Sequence, residues 1–470
     1  MNKFVRFPRD AALPQMALTL NGPAMLEVFA QLLRQQSSPT DITSCEVDRI
    51  KYRPARNLAV SYRLAGFDRE SGERVEQLVA ARFCGEGDAA PRHEKALRGE
   101  SVATAMGPQI SHLPSLHMVA HWWPNDAKLG HSAACLGGAE VARNEAVRGL
   151  VAALSEGRGI VLGHRWSAVQ VVPEHRACAR VELDYCAEPG AAAVSCAVYA
   201  KADASMQAAK THSIMLALHQ SEAQRDGRLW TPRPLLWQES SGLHWQAALP
   251  GSLALTASAQ VGEAASPRVG ALLAAFHSVQ VAEAPAFSAQ EAGSRQRMVA
   301  ETLLRIEPRW SLLIQSLATA LNEGLAGLSD ASAVTLHTDL HPGNIIVHKA
   351  RHGLIDLDGV RSGPAVLDLG DWIGDSLYRA LLAGTDVATA LVACRLFQQA
   401  YAHHGGERIS EATLAWATAN SLFCQRAWRC AVNLKPGRFA LVEPLLELAC
   451  AIARAGSIDA AMLMSQRQAA

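Results

Sequence analysis

One order of elements occurs twice in the first 250 residues, and this recurrence restricts the fold more than any other feature of the chain. Strand-like text at 44–52, 57–65 and 75–84 is followed by a helix around 91–104 and by strands near 109–112 and 116–122. These runs are rich in Val, Tyr, Leu and Ile, and Glu70-Ser71-Gly72 supplies a turn between the second and third. The order returns as strands at 166–172, 176–185 and 194–202, a helix at 205–220, and strands at 233–237 and 243–248. Laid over one another, RIKYRPARNLAVSYRL (49–64) faces AVQVVPEHRACARVEL (168–183), LVAARFC (78–84) faces AVYAKAD (197–203), and LHMVAHWWPND (116–126) faces LHWQAALPGSL (243–253). Pro54 and Pro173 hold the same offset, each with an Arg shortly after. A duplicated antiparallel α+β unit is expected, against the alternative that two segments merely share strand-like composition.

A helix from Pro23 to Gln36 precedes the first copy, with Met25, Leu26, Phe29, Leu32 and Leu33 on one face. An Ala-rich helical stretch at 138–156 reads as a connector. After Leu253 the text turns to Ala, Leu and Gln, with helical windows at 264–278, 298–322, 376–402, 411–432 and 438–454. Lys+Arg and Asp+Glu both number 44, so no global field draws in nucleic acid or an anionic membrane, and neither is expected as a partner. With 49% hydrophobic and 19% charged residues, disorder is excluded as the main state. No run approaches the roughly 18 apolar residues of a membrane span. Near the start, Lys3, Arg6 and Arg9 are interrupted by Pro8, Asp10 and Pro14, which fits no signal and points to a cytoplasmic protein. Ten cysteines without a C-x-x-C pair read as reduced, mostly buried thiols.

The helical half is broken by one strand-like island at 333–358, which holds the chain's most specific residues. Val334-Thr335-Leu336-His337-Thr338-Asp339-Leu340-His341-Pro342-Gly343-Asn344 leads into an apolar run, a polar turn, and Gly353-Leu354-Ile355-Asp356-Leu357-Asp358. A hairpin centred near residue 350 pairs 344–345 with 355–356, bringing Asn344 and Asp356 together at its open end with Asp339 close by. Two carboxylates and an amide oxygen at one point suit a hard cation such as Mg²⁺. A second reading takes His337, Asp339 and His341 as metal ligands alternating along one strand face, as in a metal hydrolase.

H-T-D-L-H-P-G-N followed by I-D-L-D resembles the H-G-D-x-x-x-x-N and I-D-x-D/E motifs of the aminoglycoside phosphotransferase and choline kinase-like small-molecule kinases. The resemblance covers roughly 166–372 and implies a bilobal, protein kinase-like α+β fold. Residues 151–250 would form an antiparallel-sheet nucleotide lobe and 251–470 a helical lobe with the catalytic loop. Residues 1–150 would be a non-catalytic duplicate of the nucleotide lobe, serving as a cap or as the dimerisation surface of a homodimer. The implied activity is ATP- and Mg²⁺-dependent phosphorylation of a hydroxyl on a small polar acceptor such as a sugar, amino sugar or amino alcohol. Asp339 would be the catalytic base, His337 a brace for its loop, and Asn344 and Asp356 the Mg²⁺ ligands. Val198-Tyr199-Ala200-Lys201 is similar to the family's lysine strand, and Ala247, Ala248 and Leu249 fall where the interlobe hinge offers backbone groups to adenine. Asp358 and Asp368 are weaker candidates for a supporting role, with helix capping or surface exposure the alternative for Asp368 and Asp371.

The chain also departs from the family. No glycine occurs between His164 and Pro189, where the phosphate-covering hairpin is expected, and the helix 205–219 has no acidic partner for Lys201. His212, Gln207 or Glu222 are the substitutes in reach. These gaps support a catalytically weak nucleotide-binding or regulatory protein as the alternative function. In the first copy Arg82 stands at the lysine position, and Glu94 is its expected partner. Trp122 and Trp123 read as core against a stacking platform for bases, and Lys51, Arg53 and Arg56 as a solvated strand face against an anion site. Cys424, Trp428, Arg429 and Cys430 read as the core face of a C-terminal helix, one that the resemblance implies often lines the acceptor pocket.

Overall fold

The computed structural model describes residues 7–99, 101–205, 207–257, 265–325, 328 and 332–462, so Lys3, Arg6 and the first residue of the 264–278 window lie outside the described residues. The chain is α+β with antiparallel sheets. Strands β1 (Thr40–Arg53), β2 (Asn57–Asp68), β3 (Arg74–Cys84), β4 (Ile110–Leu113) and β5 (Met118–Trp122) form a sheet in the order β1-β2-β3-β5-β4. Strands β6 (Ile160–Val172), β7 (Arg176–Cys186), β8 (Ala193–Asp203), β9 (Pro234–Gln238) and β10 (Leu243–Ala247) form a second, in the order β6-β7-β8-β10-β9.

The two sheets agree in strand order and in register. Arg82 on β3 stands opposite Ala59 and Val119, while Lys201 on β8 stands opposite Cys178 and His244. Each first hairpin turns through three residues, 54–56 and 173–175, with the residue after Pro in left-handed conformation: Ala55 at φ 56° and Glu174 at φ 59°. Alternation sets which side chains are buried. Along β7, Ala177, Ala179, Val181 and Leu183 are buried, and Cys178, Arg180 and Glu182 take the other face.

A helix backs each sheet. Gly22–Gln35, capped by Asn21 accepting the Ala24 N–H, buries Met25, Phe29, Leu32 and Leu33 in the first core, where Phe29 meets Tyr62 edge-on at 5.3 Å. Glu140–Leu154 buries Ala146, Val147, Leu150 and Val151 in the second core. The Ala-rich connector is thus the backing helix of the second sheet, and the expected boundary at 150/151 falls inside it. Trp122 belongs to the first core and the neighbouring Trp123 packs against the second. After β3 the helix is Ala89–Ala96, shorter than the text suggested.

The remaining residues are mostly helical: Ser266–His277, Ala289–Ile306, Ser311–Leu325, Val366–Ala383, Val387–His403, Glu411–Ser421 and Val442–Ala455. Two expected single helices are pairs. The first is broken at Pro308, which has no amide hydrogen to continue a helix and opens a short turn instead. The second is broken at Gly384, whose φ of 64° ends one helix before Asp386 caps the next. Val366–Ala383 is central, and its Gly370 lies so close to Ala417 that a Cβ would come within 2.6 Å of that residue's backbone carbon. The run Glu411–Asn433 contains a π-helical segment at Leu422–Ala427. Leu434, just beyond it, is buried in the core of the first sheet and so docks that sheet onto the helical part. All ten cysteines are free thiols. Among the described residues no helix is long and apolar enough to cross a membrane.

Candidate active site

The island folds as strands β12 (Ala333–Leu336), β13 (Ile345–His348), β14 (Arg351–Leu354) and β15 (Arg361–Pro364), with β11 (Ser252–Leu253) pairing to β13 and β12 pairing to β15. In the β13–β14 hairpin His348 faces Arg351 and Ile345 faces Leu354. The residue opposite Asn344 is therefore Ile355, whose N–H donates to the Asn344 carbonyl at 3.0 Å; the expected pairing was one residue out. The two-residue turn at Lys349, φ 53°, sets this register. Asp356 follows Ile355 directly and is turned into left-handed conformation at φ 61°.

β12 ends before the catalytic motif. Thr338 adopts φ 68°, an unusual conformation for a β-branched residue, so His337, Asp339 and His341 do not alternate along a strand face. His337 is fully buried and its Nε2 meets the Ile355 carbonyl at 2.9 Å, away from any shared ligand position, so the hydrolase reading fails. What holds the strained turn is Asp368. Its buried carboxylate accepts the N–H of His337 at 2.6 Å and that of Thr338 at 2.7 Å, and pairs with His277 Nε2 at 3.1 Å. Burial pushes the Asp368 carboxyl up, but His277 and the backbone donor outweigh it and keep it below the usual range. It caps no helix and is not exposed.

Asp339 follows this turn. Arg429 Nη1 lies 3.1 Å from its Oδ1 and His341 Nε2 3.7 Å from its Oδ2. Burial raises its carboxyl, but the nearby His341 imidazole and the Arg429 charge hold it well below the ordinary carboxylate range. Asn344 donates from Nδ2 to the Asp339 carbonyl at 2.9 Å, which closes the loop and leaves Oδ1 as its free acceptor.

Lys201 crosses from β8 to the end of the hairpin. Its ammonium lies 2.7 Å from Asp358 and 3.3 Å from Asp356. Burial alone would lower its pKa; Asp358 and Asp356 more than reverse this, so it remains charged. Arg176, first residue of β7, brings Nη1 to 3.7 Å from Asp356 and 3.8 Å from Asp358. Among the described residues none of His212, Gln207 or Glu222 partners Lys201. His212 stands edge-on to His244, 5.3 Å away, behind the lysine strand. The carboxylates come instead from the hairpin end. At the hinge position the Ala247 N–H donates to Arg233 and the Ala248 N–H to Ala197, leaving only the Leu249 amide without a protein acceptor among the described residues. The two alanine amides are spent on the sheet.

The family described as the phosphotransferase enzyme family matches residues 183–402. Those residues are similar to the phosphotransferase enzyme family. The segment includes Lys201, Asp339, Asn344 and Asp356 and leaves the first sheet outside it. Among solved structures, a choline/ethanolamine kinase family protein from Mesorhizobium loti is similar at 12% identity over 68% of this chain and 99% of that one, with a TM-score of 0.45. A putative aminoglycoside phosphotransferase from Ralstonia eutropha shows 14% identity over 66% and 98%, TM-score 0.46. The aminoglycoside phosphotransferase from Streptomyces rimosus shows 20% over 54% and 90%, TM-score 0.39. No curated protein matches the sequence.

At the candidate site, three positions stand closer to the motif residues than the sequence alone indicates. Asp368, a weaker supporting candidate in the sequence with capping or exposure as its alternative, binds the His337 and Thr338 amides. Arg429, which periodicity puts on the core face of a helix that the resemblance links to the acceptor pocket, is half-buried with its guanidinium on Asp339. Arg176 was visible only as the Arg after Pro173. Among the described residues no three His, Cys, Asp or Glu side chains gather as a metal cage. The donors at hand are two carboxylates, Asp356 and Asp358, and the Asn344 amide oxygen. A set that small fits Mg²⁺, which keeps waters and phosphate oxygens among its ligands, and not a cation that needs a full protein cage.

Proposed function

We propose that the protein is an ATP- and Mg²⁺-dependent kinase that phosphorylates a hydroxyl group of a small polar molecule. The observation that carries this reading is the meeting of Lys201 with Asp356 and Asp358 beside the Asp339–Asn344 loop, from segments more than 130 residues apart in the chain. In this reading residues 151–250 are the nucleotide lobe of a bilobal kinase-like fold, 251–470 the catalytic lobe, and 1–150 a non-catalytic duplicate. The matching strand order and register of the two sheets support the duplication.

Lys201 and Arg176 neutralise nucleotide phosphate charge, the guanidinium standing in for the backbone donors of a glycine-rich hairpin. Leu249 offers its amide to adenine. Asn344 and Asp356, with Asp358 adjoining, would hold Mg²⁺, which when bound supplies charge neutralisation on the phosphates. Asp339, held ionised by Arg429 and His341, orients the acceptor hydroxyl and receives its proton. His337 and Asp368 fix the backbone on which Asp339 stands.

The absence of an acid on the helix Ala208–Gln220 and of glycine in the 172–178 hairpin favours a second reading, a nucleotide-binding protein without turnover. ATP consumption measured with Mg²⁺ and a pool of hydroxyl acceptors decides between them. Turnover that falls about 10²-fold or more in Asp339→Asn, with nucleotide binding kept, is the expected result. Nucleotide binding with no turnover on any acceptor would establish the second reading.

A further inference from the structure

A cleft of about 1330 Å³ lies between the first sheet, the 173–175 turn and the stretch 428–436. It exceeds the ~300–1,000 Å³ of ordinary small-molecule sites. Its walls carry an uncompensated positive charge. Lys51, Arg53, Arg92, Lys95 and Lys435 line it and enter no ion pair among the described residues. The three carboxylates on the same walls are already engaged. Asp48 pairs with Arg63 at 2.9 Å, Glu174 pairs with Arg82, and Asp126 accepts the backbone N–H groups of Lys128, Leu129 and Glu174. Burial and then the neighbouring Arg53 and Arg82 charges lower the Lys51 pKa, as expected where like charges crowd without an anion. Lys51 and Arg53, together with Arg49, stand at every second position of β1 and so share one face of the strand. That face lines the cleft together with the stretch 428–436, and its Lys51 and Arg53 side chains are exposed there.

The cleft also reaches the catalytic groups. Arg429 lines it and lies 3.1 Å from Asp339, and His175 lines it next to Arg176, which lies 3.7 Å from Asp356. Lys201 and Asp356, by contrast, do not line it. We propose that this cleft binds the phosphoryl acceptor and that the acceptor is a small polyanion, bearing phosphate or carboxylate groups apart from the hydroxyl that reacts. The inference rests on the kinase reading above. In the transfer the hydroxyl oxygen forms a bond to the γ-phosphorus of ATP, the bond from that phosphorus to the bridging oxygen breaks, ADP leaves with its electron pair, and the hydroxyl proton passes to Asp339. The first sheet is then half of the acceptor site, which explains why a copy with arginine in place of the nucleotide-binding lysine is kept against the catalytic loop.

The test is calorimetric titration of inorganic pyrophosphate into the full-length protein, with and without saturating AMP-PNP. Lys51→Gln and Lys435→Gln, exposed residues on opposite walls, provide two independent variants, so a folding defect in one does not decide the result. Pyrophosphate binding that persists with AMP-PNP, weakens at least 10-fold in each variant and falls with added salt is expected. Loss of binding when AMP-PNP is present, or unchanged affinity in both variants, would overturn the anion site. A turnover panel with ATP and Mg²⁺, spanning sugar phosphates, sugar acids, neutral sugars and amino alcohols, tests the acceptor. Turnover of phosphate- or carboxylate-bearing members supports the proposal and shows which anion is used. Turnover confined to neutral or cationic members overturns it and leaves the kinase reading standing. Cleft binding of pyrophosphate with no turnover on any member overturns the acceptor role through failure of the kinase reading itself.

Discussion

Asp368 shows how one buried carboxylate can fix the backbone on which Asp339 stands. It binds two consecutive amides at a residue, Thr338, whose φ of 68° the chain does not adopt freely. Asp368→Asn keeps the shape but loses charge-assisted acceptance; a stability loss of roughly 2–4 kcal/mol is expected, with turnover falling more than nucleotide affinity. Urea unfolding and MgATP titration of that variant check both parts. Three residues on, Asp371 behaves oppositely. Burial raises its carboxyl to about 7 despite Arg426 nearby, and Gln425 donates to it at 2.6 Å. Its folded pKa lies above the ~3.9 of an unfolded Asp, so the native state holds the proton more tightly. That contribution is fully present below about pH 4 and is lost as the pH rises towards 7, a change on the order of 4 kcal/mol. Asp371→Asn, neutral at every pH, should melt above the wild type at pH 8 and lose this advantage at pH 4. Calorimetric melting temperatures at the two values would show it, and parallel curves would contradict it.

At the scale of elements, the β13–β14 hairpin links the hinge to the metal donors. Leu354 donates its N–H to the Trp230 carbonyl at 2.9 Å, and a Cβ on Gly353 would meet Leu249 and Trp230 at 2.9 Å. Gly353→Val must therefore push the hairpin away from the segment expected to hold adenine. A destabilisation of about 1–3 kcal/mol with weaker MgATP binding is expected, read by thermal melting and nucleotide titration. Unchanged nucleotide affinity would separate the hairpin from the hinge. The hairpin was legible from its two apolar runs, but its register was not. Lys349-Ala350 lacks the Asn-Gly type of signal that would have marked a two-residue turn, and one residue of error moves the opposing partner from Asp356 to Ile355. The long helical windows failed for a related reason. Periodicity reports a buried face, and that face continues across the breaks at Pro308 and Gly384.

Across the whole molecule the two sheets meet through Leu78 and Trp123, which pack against the second core, and through a polar tie at one turn. Arg82 binds Glu174 at the tip of the β6–β7 turn, and Asp126 accepts the Glu174 N–H at 2.8 Å. The expected Arg82–Glu94 pair does not form, because the side chain of Arg82 lies towards the second sheet's turn and not towards its own copy's helix. Glu174→Gln should loosen the turn that stands over the lysine site. Faster amide hydrogen exchange at 172–176, with protection of β7 and β8 retained, is the expected outcome. Unchanged exchange there would mean that packing, and not this ion pair, positions the turn.

Local sequence determined what depends on near neighbours: the order of strands in both sheets, the island with Asp339, Asn344 and Asp356, and the lysine on β8. Strand periodicity and motif spacing are properties of short stretches, and they survive in the text whatever packs on them. Only the tertiary structure decided the rest. Arg429 meets Asp339 across 90 residues, Asp368 reaches back to His337, and Lys51 and Lys435 line one cleft. No local pattern encodes such pairs, since each depends on how separate elements dock. An arginine on a helix face reads the same from its neighbours whether it ends in solvent or on a catalytic carboxylate.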